Sequence, residues 1–206
     1  VGMNPKEAED VAFSKEVIAY LPEFLDKPTC LGIGEIGLNK NTRNELTTFE
    51  LQVDVAVQRK QLVWIHTPHL ADKQKGVHML LDVLKNRSDI DRERVLFDHM
   101  EEHTVRPVLE AGFWAGMTIY PVTKNSPPRV VDTLERYGLE RLVVDASGDW
   151  GPSDPGTLHD AIFEMRRRGH REEDIETVFY DNPCYFLGQN PKFKPQPTRP
   201  QEAAWA

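Results

Sequence analysis

The chain lacks any apolar run near the roughly 20 residues needed to cross a bilayer. It also lacks a basic-then-apolar leader at its start. Cysteine is scarce. Cys30 and Cys184 stand far apart, and two such residues make no disulfide framework. A reducing compartment follows, so a cytoplasmic location is the expectation. Positive charge is short as well: 25 Lys and Arg against 33 Asp and Glu give a formal net charge of −8. Extended nucleic-acid surfaces are usually basic. The balance therefore argues against a large nucleic-acid footprint, but not against an enzyme whose metal handles phosphate. Nothing points to a membrane or to a protein partner. The first residue is Val1 and not methionine, so a processed or truncated product is expected.

What is present reads as one globular unit. The 206 residues, 39% hydrophobic and 28% charged, suffice for a single core. Asn4 and Pro5 suit a helix start, and the apolar spacing from Val11 to Leu25 predicts one helix over 5–26, bent or ended by Pro22. A glycine-broken apolar strand follows, Leu31-Gly32-Ile33-Gly34-Glu35-Ile36-Gly37-Leu38. Helices are predicted at 44–60, 72–86, 101–111 and 127–137, with strands at 61–66, 94–99, 113–119 and 141–145. Asp154-Pro155 reads as a further helix start, and 172–180 as a last short helix. The strands are apolar throughout and alternate with helices, the pattern of a parallel sheet covered on both faces. Residues 1–190 form the expected domain, and 191–206, rich in Pro, Gln, Lys and Thr, a flexible tail.

Ligand-type residues recur at strand ends. Glu35 interrupts an apolar strand, where an ionised carboxylate is costly unless paired or bound to metal. His66 and His99 end two later strands, and Asp145 and Asp149 follow a fourth. In a parallel α/β barrel all these ends lie on one face. Two imidazoles and two carboxylates suit a borderline divalent ion, which can make a nucleophile of water at neutral pH. Trp150 is a candidate pocket wall and His69 a candidate substrate contact. Each residue has a plainer alternative when taken singly. His66 alone reads more readily as a core histidine bonded to a backbone carbonyl, His99 reads also as part of a polar loop, and Asp145 and Asp149 as turn caps.

Gly34-Glu35-Ile36-Gly37-Leu38 resembles the Gly-Glu-Ile-Gly-Leu-Asp signature of TatD-type metal-dependent hydrolases of the amidohydrolase superfamily, with Asn39 in place of the final Asp. Phe49, Gln52 and Ala56 resemble that family's next helix, and the strands ending in His66 and His99 its histidine strands. Val1-Gly2-Met3-Asn4-Pro5 is similar to the Val-Gly-x-His-Pro that ends its second strand, and Asn182 and Phe186 to its C-terminal helix. The resemblance covers roughly residues 1–188. It implies a (β/α)8 TIM-type barrel, incomplete at the N-terminus, since complete barrels run to about 250 residues. It implies metal-assisted hydrolysis of a phosphodiester, ester or amide, of a small-molecule or nucleic-acid substrate. Glu35, His66, His99 and Asp149 become the implied metal ligands, with Asp145 as the alternative to Asp149. Glu35 and Asp149 become the catalytic pair. Zinc is the first choice of metal, with manganese, magnesium, cobalt and iron as alternatives. The family's His-x-His pair is absent from this chain. That departure keeps a second reading open, a non-catalytic barrel fragment or pseudoenzyme used as a scaffold.

Overall fold

Apolar runs separated by amphipathic segments become strands joined by helices in the computed structural model, which describes residues 1–69, 71–120, 123–148 and 153–195. Among these residues, the strands are β1 (Gly32–Gly37), β2 (Leu62–His66), β3 (Val95–Phe97), β4 (Trp114–Ile119) and β5 (Leu142–Ala146). They pair in sequence order, each parallel to the next. Crossover helices α3 (Arg43–Gln58), α4 (Lys73–Lys85), α5 (Val105–Glu110) and α6 (Pro127–Tyr137) join them, preceded by α1 (Val11–Ile18) and α2 (Leu21–Leu25). After β5 come α7 (Thr157–Arg167), α8 (Glu172–Glu176), a π-helical turn at Thr177–Asp181, and α9 (Asn182–Gly188). Parallel neighbours in sequence order with helical crossovers are the repeating unit of the (β/α)8 barrel, and the fold is an incomplete barrel of this kind. At the outer edge of β1, Val1 continues the sheet: its N–H donates to Gly32 O, and Gly34 N–H donates to Val1 O, both at 3.0 Å.

The strands have two distinct faces, as their two-residue period requires. One face, with Ile33, Ile65, Phe97, Met117 and Val144, packs against the helices and forms the main core. The other carries Leu62, Leu96, Trp114 and Val143 and is covered by Phe186 of α9. The Phe186 ring meets Trp64 edge-on at 5.2 Å and Trp114 at 5.7 Å. The segment around α9 crosses the amino ends of the strands. Asn182 Nδ2 donates to Leu139 O before β5 and to Leu142 O at its first residue, Gln189 Nε2 to Glu93 O before β3, and Asn190 Nδ2 to Leu31 O before β1. Beside it, an apolar cavity of about 510 Å³ remains between Phe24, Leu31, Trp64 and Leu187.

Local signals explain where elements begin, and where the sequence reading needs correction. The helix predicted over 5–26 is three pieces, a 3-10 turn at Pro5–Glu7, then α1 and α2. Asp10 starts a new helix by accepting from Phe13 N–H at 3.0 Å, and Pro22 sits in the first turn of the next. α3 has a full capping box, Thr42 with Glu45. The buried Glu45 carboxylate also takes the Lys40 N–H, at 2.9 and 3.0 Å to its two oxygens. The helix predicted from Asp154-Pro155 begins only at Thr157; Asp154 instead accepts the Gly156 N–H at 2.8 Å in a turn. Among the described residues, no helix is long and apolar enough to cross a membrane.

Candidate metal centre

A bulge in β1 turns Glu35 towards the inner face. The β1–β2 ladder pairs Ile33 with Val63 and Ile36 with Ile65, so β1 uses one residue more than β2 between those pairs. Ile33 and Ile36 both stay in the outer core, which leaves Gly34 and Glu35 together opposite Trp64. Glycine is required at 34, because a Cβ there would meet Trp64 Cβ at 2.4 Å. His66 is the last residue of β2. His99 lies two residues past β3 and holds a left-handed backbone, φ 61°. Such a conformation is uncommon outside glycine and clusters at functional sites.

These three side chains converge. Glu35 Oε1 is 2.7 Å from His99 Nε2 and 3.4 Å from His66 Nδ1. The second distance is a charge contact without hydrogen-bond direction, so both ring nitrogens of the buried His66 lack a hydrogen-bond partner. The two imidazoles meet edge to face, centroids 4.8 Å apart. One ligand atom from each of the three residues lies within 4.8 Å of the others. Asn4 Nδ2 steadies the other Glu35 oxygen, donating to Oε2 at 3.3 Å. Burial would raise the Glu35 pKa, yet the contacts with His66 and His99 outweigh it and hold the carboxyl well below its usual range. Burial pushes His66 down, against the pull of Glu35. An ionised carboxylate beside a neutral imidazole with bare nitrogens is a donor set that fits a divalent cation.

Over this cluster opens a cleft of about 110 Å³, bordered by Lys6, His69, Tyr120, Lys124 and Ser147. Lys124 Nζ lies 3.0 Å from one ring nitrogen of His99 and 3.3 Å from the other. A point in the ring plane so close to both would collide with the carbon between them, so the ammonium sits over the ring face. Burial, then the charges of Lys73 and Lys124, lower the pKa of His69. A second acidic group, Glu101, Glu102 and His103, also lies together. Lys73 contacts Glu101 at 3.1 Å and Arg129 contacts Glu102 at 2.7 Å, which makes it a salt-bridged surface cluster.

Beneath His99 lies a carboxylate pair, Asp98 buried and Asp145 half-buried. Asp98 accepts from His99 N–H at 2.6 Å, Thr118 Oγ1 at 3.0 Å and Trp64 Nε1 at 3.3 Å. Asp145 turns to Asp98, not to the Glu35–His66–His99 cluster. Two carboxyls in contact and largely shielded from water share a proton. Burial and the Asp98 charge push Asp145 well above its ordinary 3.8. Burial would raise Asp98 too, but the charge and backbone N–H of His99 hold it lower. Above pH about 4 the unfolded chain ionises Asp145 while the folded chain keeps its proton, so this group's contribution to stability falls as pH rises. Asp145→Asn cannot ionise and retains a donor for Asp98. It is expected to stabilise the fold at pH 8 by on the order of 1 kcal/mol, about 2–4 °C in Tm, and to lose that advantage by pH 3.5. Thermal melts of both proteins across this pH range measure it.

Of the residues singled out in the sequence, Glu35, His66 and His99 come together, and His69 borders the cleft. Asp149 and Trp150 lie outside the described residues. Four participants were not foreseen as such: Asn4, Asp98, Thr118 and Lys124. Asp98 and Thr118 carry a readable signal, since each is polar and in phase with the inward residues of its strand, Leu96 and Trp114. Lys124 lies in a loop after β4, with no periodic pattern to mark it.

Comparison with known proteins gives the family and the fold. The family model described as "TatD related DNase" matches residues 1–186. An uncharacterized metal-dependent hydrolase of Methanocaldococcus jannaschii is 28% identical over 81% of this chain, which spans 64% of that relative's length. A TatD-like protein of Archaeoglobus fulgidus has a similar structure, with TM-score 0.66 and 25% identity, covering 91% of this chain and 70% of that one. The phosphotriesterase homology protein of Escherichia coli, solved with phosphate in its active site, shares the fold with TM-score 0.71 at 18% identity, covering 87% and 69% of the two chains.

Proposed function

Since this chain belongs to the TatD related DNase family, we propose that it is a metal-dependent hydrolase with its centre at Glu35, His66 and His99. The observation that carries this is the buried His66 ring, neither nitrogen in a directed hydrogen bond, 3.4 Å from the ionised Glu35. Buried polar groups without partners are costly, and a cation coordinated there removes that cost. The M. jannaschii relative, described as a metal-dependent hydrolase, supports the same reading. Glu35 Oε1, His99 Nε2 and a His66 ring nitrogen are the proposed ligands, with Asp149 the proposed fourth. Two imidazoles and carboxylate favour zinc, with manganese, cobalt or iron next. A divalent ion held there would supply a more acidic water as nucleophile and positive charge for the scissile group.

The protein's own groups do the rest. Lys6 and Lys124, at the cleft, provide positive charge for an anionic substrate. His69, kept neutral by burial and neighbouring cations, is suited to take or give a proton at the leaving group. Asn4 holds Glu35 Oε2 and so keeps the carboxylate from rotating. The substrate class that suits these groups is a phosphodiester. The net charge of −8 favours a short one over extended contact with a polymer. The test is metal content by mass spectrometry, with hydrolysis of bis-(p-nitrophenyl) phosphate and p-nitrophenyl acetate assayed side by side. About one equivalent or more of transition metal, and phosphodiester cleavage lost on chelation, is expected. A folded chain that binds no metal would leave only the scaffold reading.

A further inference from the structure

His99 uses one ring nitrogen towards Glu35 and turns the other inward. Its Nδ1 lies 2.6 Å from Thr118 Oγ1, and that oxygen lies 3.0 Å from Asp98 Oδ1. All three residues are buried. A hydroxyl has a single proton to give. Asp98 already accepts from His99 N–H and Trp64 Nε1–H, so it receives the Thr118 proton and offers none back. Thr118 oxygen is then an acceptor towards His99, and Nδ1 must carry the hydrogen. The ammonium of Lys124, over the ring face, does not compete for the in-plane position at Nδ1. Nε2 faces Glu35 Oε1 at 2.7 Å, where its own hydrogen bonds the carboxylate, and a cation bound there would take the place of that hydrogen.

We infer that Thr118 is a positioning residue which, backed by Asp98, fixes the tautomer and ring orientation of His99 so that Nε2 is the nitrogen presented to the metal. The inference rests on the metal-dependent reading proposed above. A metal-bound histidine usually donates its second N–H to an oxygen that sets the ring. Here that oxygen is a hydroxyl whose proton is in turn committed to a buried carboxylate. The sheet supplies the geometry. Thr118 pairs in register with Asp145 on β5. Two residues earlier on the same face, Gly116 leaves the space that Asp98 fills, since a Cβ there would meet Asp98 Oδ1 at 2.7 Å.

The test compares Thr118→Val and Thr118→Ser with the wild-type chain. Valine keeps the branched shape and removes the hydroxyl; serine keeps the hydroxyl. Zinc affinity is read by competition with a chromophoric chelator, and the histidine tautomers by NMR of protein with ¹⁵N-labelled imidazoles. T118V is expected to bind zinc about 10–100-fold more weakly, with T118S close to wild type. His99 in the wild type should carry a hydrogen on Nδ1 with or without zinc, and on Nε2 only without it. A T118V protein that binds zinc as tightly as wild type overturns the inference, as does a wild-type His99 protonated only on Nε2. If T118V does not fold, the wild-type tautomer decides. If the wild type binds no zinc, the metal-dependent reading fails, and the tautomer in the metal-free protein still judges the role of Thr118.

Discussion

Glu35→Ala is expected to weaken metal binding by more than about 100-fold, beyond the range typical of outer partners. Hydrolysis should fall by on the order of 10³-fold in kcat/KM, which corresponds to about 4 kcal/mol of transition-state stabilisation. Glu35 is the carboxylate in the three-residue cluster and touches both imidazoles. Without it, His66 and His99 present two neutral donors and no negative charge to a divalent cation. The fold should survive, because the Glu35 side chain is still 33% exposed and lies at the carboxyl ends of the strands, away from the main core. Equilibrium dialysis with metal analysis, steady-state kinetics and a thermal melt separate the two effects. A variant that keeps its metal and its rate would remove Glu35 from the centre. Loss of metal together with loss of folding would instead make Glu35 a structural residue.

Phe186→Ala should act at the other end of the molecule. Phe186 is fully buried and wedged between Trp64 and Trp114 on the inner face. Truncating such a ring costs about 3–5 kcal/mol, or roughly 6–20 °C in Tm for a chain of this size. Leu62, Leu96 and Val143 lose the group that covers them, and collapse into the gap is limited because Trp64 already borders the neighbouring cavity. Tryptophan fluorescence should shift to the red as Trp64 and Trp114 gain water. Metal affinity should fall far less than in Glu35→Ala, since Phe186 reaches the centre only through Trp64 and its bond to Asp98. A melting temperature within a degree of wild type would show that α9 does not secure the inner face.

Much of this was readable in the sequence, for definite reasons. The strands are continuous apolar runs closed by a polar residue, so both the parallel sheet and the row of Glu35, His66 and His99 along its carboxyl ends follow from period and position. Breaks that depend on one side chain reaching one N–H were harder. Asp10 lies inside a plausible apolar stripe, and only its bond to Phe13 N–H reveals that a helix starts there. The β1 bulge has no signature beyond its glycines. Asp145 as a ligand candidate rested on residue type. Its actual neighbour, Asp98, sits two strands away along the sheet and meets it only after folding. The same holds for Thr118, an ordinary strand threonine until His99 is packed against it.

The path of α9 also bears on how the protein is made. Asn190 bonds Leu31 across 159 residues of sequence, and Asn182 bonds Leu139 and Leu142 across 43 and 40. Contacts so distant along the chain form slowly and late. As the polypeptide leaves the ribosome, β1 to β5 can pair while Trp64, Leu96 and Trp114 still face water, because their cover is translated after them. That leaves a nascent sheet with an apolar face uncovered for the time it takes to add residues 147–190, a window in which aggregation is a hazard and a holding chaperone would have a surface to bind.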